Sequence, residues 1–185
     1  MKIILINGKA RSGKDFAAQI LLKKLDKSVK LAFADSIKDI LCNTLEITRN
    51  EFDDYKNNFY DLKYSDKSLT FRELIQKLGE NIKSELGDNI WVKRAIQKIY
   101  TNNYPDTIFI ISDFRFPVEY KEIITTFGKD RVITLQIQDK NIPQGEHISE
   151  NALEDFKFDY IIDNTEKNPE ILEDYLQSFI DLKVV

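Results

Sequence analysis

The apolar positions of this chain follow two alternating periodicities. Residues 2–6 centre on a continuous apolar run, Ile3-Ile4-Leu5-Ile6, as a parallel strand buried on both faces requires. From 15 to 26, Ala17, Leu21 and Leu25 recur every four residues beside Ile20, which predicts an amphipathic helix. Val29 to Phe33 reads as a second short strand, and Ile37, Ile40, Leu41 and Leu45 mark the next helix. The stretch 46–68 is polar and rich in Asp, Asn, Lys and Tyr, and it predicts a surface insertion with no assigned chemistry. Thr70-Phe-Arg-Glu73 has capping-box spacing and opens a long helix that ends near Gly87.

A further helix is expected over 90–100, and Thr107 to Ile111 reads as another buried strand. Pro117 to Phe127 is helical and closed by Gly128, Val132 to Ile137 is a strand, and Tyr160 to Ile162 is the last one. Asn168-Pro169 supplies an N-cap and a first-turn proline for a C-terminal helix. Strands separated by helices at these intervals imply an α/β fold, a parallel sheet with helices on both faces. A length of 185 residues suits one domain.

Composition narrows the class. Hydrophobic residues make up 42% and charged residues 31%, which are globular values that point away from disorder. The net charge of -4 argues against a nonspecific nucleic-acid binder. A single cysteine, Cys42, permits no internal disulfide, suits a cytoplasmic setting, and reads as a small core residue on a helix. No apolar run approaches a membrane span, and the N-terminus enters a strand at once without a signal-peptide pattern. With one histidine, His147, and one cysteine, zinc-type ligand clusters are not expected.

The sharpest local signal is Asn7-Gly8-Lys9-Ala10-Arg11-Ser12-Gly13-Lys14-Asp15, between the first strand and the first helix. Gly8, Gly13 and Lys14 have the G-x-x-x-x-G-K spacing of a phosphate-binding loop. Glycines let successive backbone N–H groups converge on one anion, the helix N-terminus adds partial positive charge, and the lysine reaches the terminal phosphates. Gly8 through Asp15 are therefore the candidate ATP-binding residues, and the fold expected is of the P-loop NTPase type. Asp15 stands where Ser or Thr normally holds Mg²⁺. Its carboxylate either takes over that ion, directly or through water, or merely complements the helix dipole.

A second site is expected where the 107–111 strand ends. Ser112-Asp113 places a carboxylate where phosphate-loop enzymes coordinate Mg²⁺, and ligands of open α/β sheets bind outside the carboxyl ends of strands. Arg115 carries a planar fork suited to phosphate oxygens. The competing reading of Asp113-Phe-Arg115 is a strand-end turn with a local ion pair.

These blocks, in this order, resemble the phage-type deoxynucleoside monophosphate kinases, with animal phosphomevalonate kinase a more distant relative. Arg-Ser-Gly-Lys-Asp at 11–15 is similar to that family's loop, and Phe33-Ala-Asp-Ser-Ile-Lys38 to its second-strand motif. Arg72-Glu-Leu-Ile-Gln76, Leu78-Gly79 and Trp91-Val-Lys93 resemble its acceptor-binding helices. Ser112-Asp-Phe-Arg-Phe-Pro117 with Glu119, His147-Ile-Ser-Glu150, and the segment from Asp159 to Asn164 resemble its remaining motifs.

The resemblance implies ATP-dependent phosphorylation of a nucleoside 5′-monophosphate to the diphosphate, with Mg²⁺. It implies a helical acceptor region over about 36–100, a lid-like loop over about 138–150, and a possible homodimer. Lys14, Asp15, Asp113 and Arg115 would carry catalysis, Asp15 and Asp113 the metal. Asp35, Lys38, Arg72, Gln76, Trp91 and Arg115 would receive the acceptor. Trp91 packs beside the base or in the core, Gln76 bonds to the base or stands exposed, and His147 orders a loop. Relatives often carry a lid arginine where this chain reads Ile137-Gln138-Asp139-Lys140, so Lys140 or Arg131 would stand in. Lys83 occupies the place of a second frequent arginine. The alternatives are a kinase for phosphomevalonate or dephospho-coenzyme A, and a nucleotide-dependent switch in which the 46–68 insertion would respond to the γ-phosphate.

Overall fold

The computed structural model describes residues 1–55, 59–61, 68–102, 104–143 and 148–184. In chain order the elements begin β1 (Lys2–Asn7), α1 (Lys14–Lys24), β2 (Ser28–Leu31), α2 (Asp35–Leu45) and α3 (Arg49–Tyr55). There follow β3 (Phe59–Asp61), β4 (Ser68–Thr70), α4 (Phe71–Leu86), α5 (Ile90–Thr101) and β5 (Ile108–Ile111). The chain closes with α6 (Pro117–Phe127), β6 (Val132–Gln138), α7 (Ile148–Asn151), β7 (Tyr160–Asp163) and α8 (Pro169–Phe179). It divides into two compact units, Met1–Ala32 with Ala95–Val185, and Phe33–Arg94.

The first unit is built on a five-stranded sheet of order β2-β5-β1-β6-β7. Every pairing in it is parallel. Ile3, Ile4, Leu5 and Ile6 have no exposed surface, because β1 is central and both its faces are covered. The pleat sends Ile4, Ile6, Ile110, Leu135 and Ile137 to one face, where they pack on Ala17 and Leu21 of α1 and Leu172, Leu176 and Phe179 of α8. Ile3, Leu5, Phe109 and Ile111 point to the other face and are equally buried, and α6 packs against β6. The register pairs Leu5 with Ile111 and Asn7 with Gln136, so the loops after β1, β5 and β6 leave one edge of the sheet.

The second unit packs α2, α3, α4 and the start of α5 around Ile37, Leu41, Phe52, Phe71 and Trp91. Thr70 caps α4 through the reciprocal bonds its spacing with Glu73 predicts. Asn168 likewise caps α8, accepting from the N–H groups of Glu170 and Ile171. Cys42 is a buried helical residue, and burial pushes its thiol pKa up.

The surface insertion expected at 46–68 is exposed or half-buried over 46–54 apart from Phe52, and it is more ordered than its composition implies. It contains α3, and β3 pairs antiparallel with β4 at its end. Phe52 is fully buried, its ring stacked on Phe71 with centroids 4.6 Å apart. A lone phenylalanine in a seven-residue, mostly polar helix is too short a pattern to register as amphipathic, yet that ring anchors the helix. Residues 56–58 and 62–67 of the insertion lie outside the described residues.

Candidate active site

The loop after β1 turns back on itself through two left-handed residues, Arg11 at φ 68° and Gly13 at φ 97°. The Ser12 N–H donates to the Lys9 carbonyl at 3.1 Å, and α1 begins directly at Lys14. Left-handed residues interrupting the loop curl its N–H groups toward a common centre, the concavity that binds phosphate. Lys14 is 8% exposed and folds back over the loop, with Nζ 3.5 Å from the Lys9 carbonyl oxygen. Ser12 is fully buried, and among the described residues its hydroxyl has no hydrogen-bond partner. A buried orphaned hydroxyl in such a cradle fits a phosphate oxygen as its missing partner.

Two glycines hold this geometry by leaving room. A Cβ on Gly8 would lie 2.4 Å from Ser12 Oγ and 2.7 Å from the backbone oxygen of Ile137. A Cβ on Gly13 would lie 2.5 Å from Asn164 Nδ2. The β6 backbone cannot rotate aside as a side chain can. Gly8→Ala should therefore shift the loop and weaken ATP binding by about tenfold or more, the scale of a 1–3 kcal/mol overpacking cost. Calorimetric titration with ATP checks this, and an unchanged affinity would show that the loop adapts without cost.

Residues distant in sequence support the loop. Asn164, immediately after β7, is buried and donates through Nδ2 to the Ser12 carbonyl at 2.8 Å. Its own N–H donates to the Gln138 carbonyl at 2.7 Å. Asn7, at the root of the loop, donates to the Phe114 carbonyl at 2.9 Å and accepts from Gln136 Nε2 at 3.2 Å. Asn7 therefore ties the phosphate loop to the turn that carries Asp113 and Arg115. Nothing in a single sequence marks Asn7 as special beyond its place before Gly8, and Asn164 was visible only as the end of a family-like segment.

Asp113 is half-buried in the turn after β5, and Asp15 lies in the first turn of α1 with its side chain 61% exposed. Among the described residues no group of three or more His, Cys, Asp or Glu side chains forms a metal cage. Mg²⁺ asks for less, because it keeps several waters and takes one or two carboxylates together with substrate phosphates. Two carboxylates beside a phosphate loop fit that ion.

Arg115 is held at both ends. Glu119 Oε2 accepts the backbone N–H of Arg115 at 2.7 Å and of Phe116 at 2.9 Å. The guanidinium donates through Nη1 to Ser149 Oγ at 3.0 Å. A hydroxyl orients the side chain without neutralising its charge. His147 lies outside the described residues.

Of the two cations expected to replace a lid arginine, the structure places only Lys140 at the carboxyl edge of the sheet. Its Nζ bonds Asp163 at 2.6 Å, and this bond, with those from Thr165, holds the Asp163 carboxyl down to about 2. Arg131 precedes β6, whose first residue pairs with Ile3 near the start of β1. At about 3.3 Å per residue the whole strand separates it from the loop, so Arg131 cannot serve there.

In the second unit, Asp35 opens α2 and Lys38 follows one turn later, paired with Asp53 at 3.2 Å. Arg72 is exposed in the first turn of α4, and Gln76 follows it by one turn. Trp91 is 7% exposed, and its Nε1 donates to the Gly79 carbonyl at 3.2 Å. The indole is thus a core group of this unit, and one side of it lines an open groove of about 360 Å³ with Ser36, Asp39, Ile40 and Arg94. Arg49 bridges Asp35 and Asp39. Partial burial opposes its charge, but the hydrogen bond to Asp35 and the three nearby aspartates raise its pKa above the ordinary value.

A parallel sheet with a phosphate loop after its central strand, and with a carboxylate and an arginine after the neighbouring strand, is the arrangement of a P-loop nucleoside triphosphate-binding protein. The deoxynucleotide monophosphate kinase family model matches residues 2–66 and 46–175, and the chain belongs to that family, whose members phosphorylate nucleoside monophosphates with ATP. No curated protein matches the chain. Among solved structures it is similar to thymidylate kinase from Candida albicans, at 16% identity over 97% of this chain and 91% of the other, with a TM-score of 0.49. It is also similar to a tunicamycin resistance protein from Deinococcus radiodurans, at 14% identity over 98% and 96%, with a TM-score of 0.48. Among the described residues no helix is long and apolar enough to cross a membrane.

Proposed function

We propose that this kinase transfers the γ-phosphoryl group of ATP, with Mg²⁺, to the 5′-phosphate of a deoxynucleoside monophosphate, using the residues assigned above. The carrying observation is the loop itself, with Lys14 folded across it, the Ser12 hydroxyl unpartnered, and Asp113 and Arg115 leaving the same edge of the sheet. Phosphoryl transfer needs in-line positioning and charge neutralisation more than a covalent nucleophile. Backbone N–H groups of residues 8–14 and the start of α1 hold the β- and γ-phosphates. Lys14 meets the charge that develops as the bond to the leaving oxygen lengthens. Arg115 holds the transferring group. Asp15 and Asp113 would hold Mg²⁺, which would supply charge neutralisation for the phosphates there.

The unit Phe33–Arg94 is the acceptor-binding region in this reading. Arg72 and Lys38 supply charge for the acceptor phosphate, while Asp35 and Gln76 offer hydrogen bonds to sugar or base. No strong general base is required, because the acceptor phosphate is already largely ionised at neutral pH.

A coupled ADP-release assay tests the assignment over the four common deoxynucleoside monophosphates, their ribose forms, phosphomevalonate and dephospho-coenzyme A. At least one deoxynucleotide should be the fastest acceptor. Activity confined to a non-nucleotide acceptor, or ATP binding with no acceptor-stimulated ADP release, would overturn it.

A further inference from the structure

Arg49 opens α3 and spans one turn of α2 with its guanidinium fork. Its Nη2 donates to Asp35 Oδ1 at 2.9 Å and its Nη1 to Asp39 Oδ1 at 2.8 Å. The same Nη1 lies 3.1 Å from the Asp35 carbonyl oxygen, so side chain and backbone of Asp35 are gripped together. Asp35 and Asp39 are four residues apart and share a helix face, which lets one planar group reach both. A second tie, Lys38 to Asp53 at 3.2 Å, joins the same two helices.

α3 also reaches α4. Phe52 is fully buried and stacks on Phe71 at 4.6 Å, the rings inclined by 13°. Phe71 is the first residue of α4 and the neighbour of Arg72, at the end fixed by the Thr70–Glu73 capping box. The helix therefore grips α2 by charge and α4 by ring stacking, at the turns that carry Asp35, Lys38 and Arg72.

We propose that α3 is the spacer of the acceptor site and Arg49 its positioning residue, orienting Asp35 and setting the α2 residues against Arg72 and Gln76 for a nucleoside monophosphate. This rests on the reading of Asp35, Lys38, Arg72 and Gln76 as acceptor ligands. Arg49 does not act chiefly through global stability. Its side chain is 35% exposed, Asp35 23% and Asp39 50%, so the pairs are partly open to solvent, and ion pairs screened in this way contribute modestly to folding. Their geometric effect is larger, because a displacement of about 1 Å in a positioned group costs up to ~10²-fold in rate. Arginine suits the task where lysine does not, since only a fork reaches two carboxylates and a carbonyl at once.

Steady-state kinetics of Arg49→Ala, Arg49→Lys, Asp35→Ala and the double variant Arg49→Ala/Asp35→Ala test the proposal, with thermal unfolding of each. Arg49→Ala should raise the acceptor KM by about tenfold while leaving the ATP KM within about twofold. Arg49→Lys should fall between, with the fold intact, and it carries the test should the alanine variant not fold. The double variant should raise KM by less than the product of the single effects, as expected when one residue acts through the other. An unchanged acceptor KM in Arg49→Ala, beside a raised one in Asp35→Ala, would overturn the positioning role alone. Equal losses for ATP and acceptor would mark Arg49 as structural and also overturn it. An unchanged acceptor KM in Asp35→Ala would remove Asp35 from the acceptor site, and Arg49 with it.

Discussion

Lys14→Ala is expected to abolish measurable turnover while the protein stays folded. Lys14 is buried in the loop, its Nζ lying over the Lys9 carbonyl, and it lies outside the two hydrophobic clusters described above. Its position at the start of α1 is unfavourable for a cation, because the helix dipole is positive at that end. Alanine is also the better helix former, so folding should not suffer. What is lost, on the proposed function, is the charge that would meet the migrating phosphoryl group. Removing a single donor aimed at developing charge costs on the order of 10²–10³ in kcat at other sites. Saturating ATP and acceptor, with thermal unfolding as the control, isolates that loss. Comparable kcat values for variant and parent would sink the assignment of this loop.

The phosphate loop was legible because its function is carried by backbone conformation and six consecutive residues, Gly8 to Gly13, followed by Lys14. Glycines at fixed spacing between an apolar run and an amphipathic helix leave few other structures for that stretch. The strands were legible for a related reason. A central parallel strand must be apolar on both faces, and Ile3 to Ile6 and Ile108 to Ile111 say so without any partner being known. The caps of α4 and α8 also rest on neighbours within three residues.

The supports of the site are non-local, and the sequence does not display them. Asn164 reaches Ser12 across 152 residues, Ser149 reaches Arg115 across 34, and Arg49 reaches Asp35 across 14. Each is an ordinary polar residue until the fold brings it to its partner. The 46–68 stretch lies at the surface over 46–54, as its composition implies, but its order is not legible, since among those residues the buried ring of Phe52 is outnumbered by polar neighbours. That anchoring also bears on the switch alternative. An element that orders and disorders with the γ-phosphate should have few buried contacts, whereas α3 is pinned by Phe52 and by the Arg49 and Lys38 ion pairs.

Arg115→Ala and Arg72→Ala should separate by kinetic signature. Arg115 sits two residues beyond the carboxylate of Asp113, and its backbone N–H is held by Glu119 whatever the side chain. Truncation should therefore leave the turn in place and remove only the guanidinium. The hydroxyl of Ser149 orients that group without cancelling its charge, the arrangement expected of a cation kept for a transferring phosphoryl group. Arg115→Ala should lower kcat by about 10²-fold. Arg115→Lys should recover little, because a point charge does not replace the fork. Arg72 is exposed in the first turn of α4 and is expected to bind the acceptor phosphate in ground and transition states alike. Arg72→Ala should therefore raise the acceptor KM more than it lowers kcat. A change confined to the ATP KM in the Arg72 variant would place that residue with the nucleotide triphosphate instead. A kcat unaffected by loss of the Arg115 side chain would leave the turn after β5 with a structural role only.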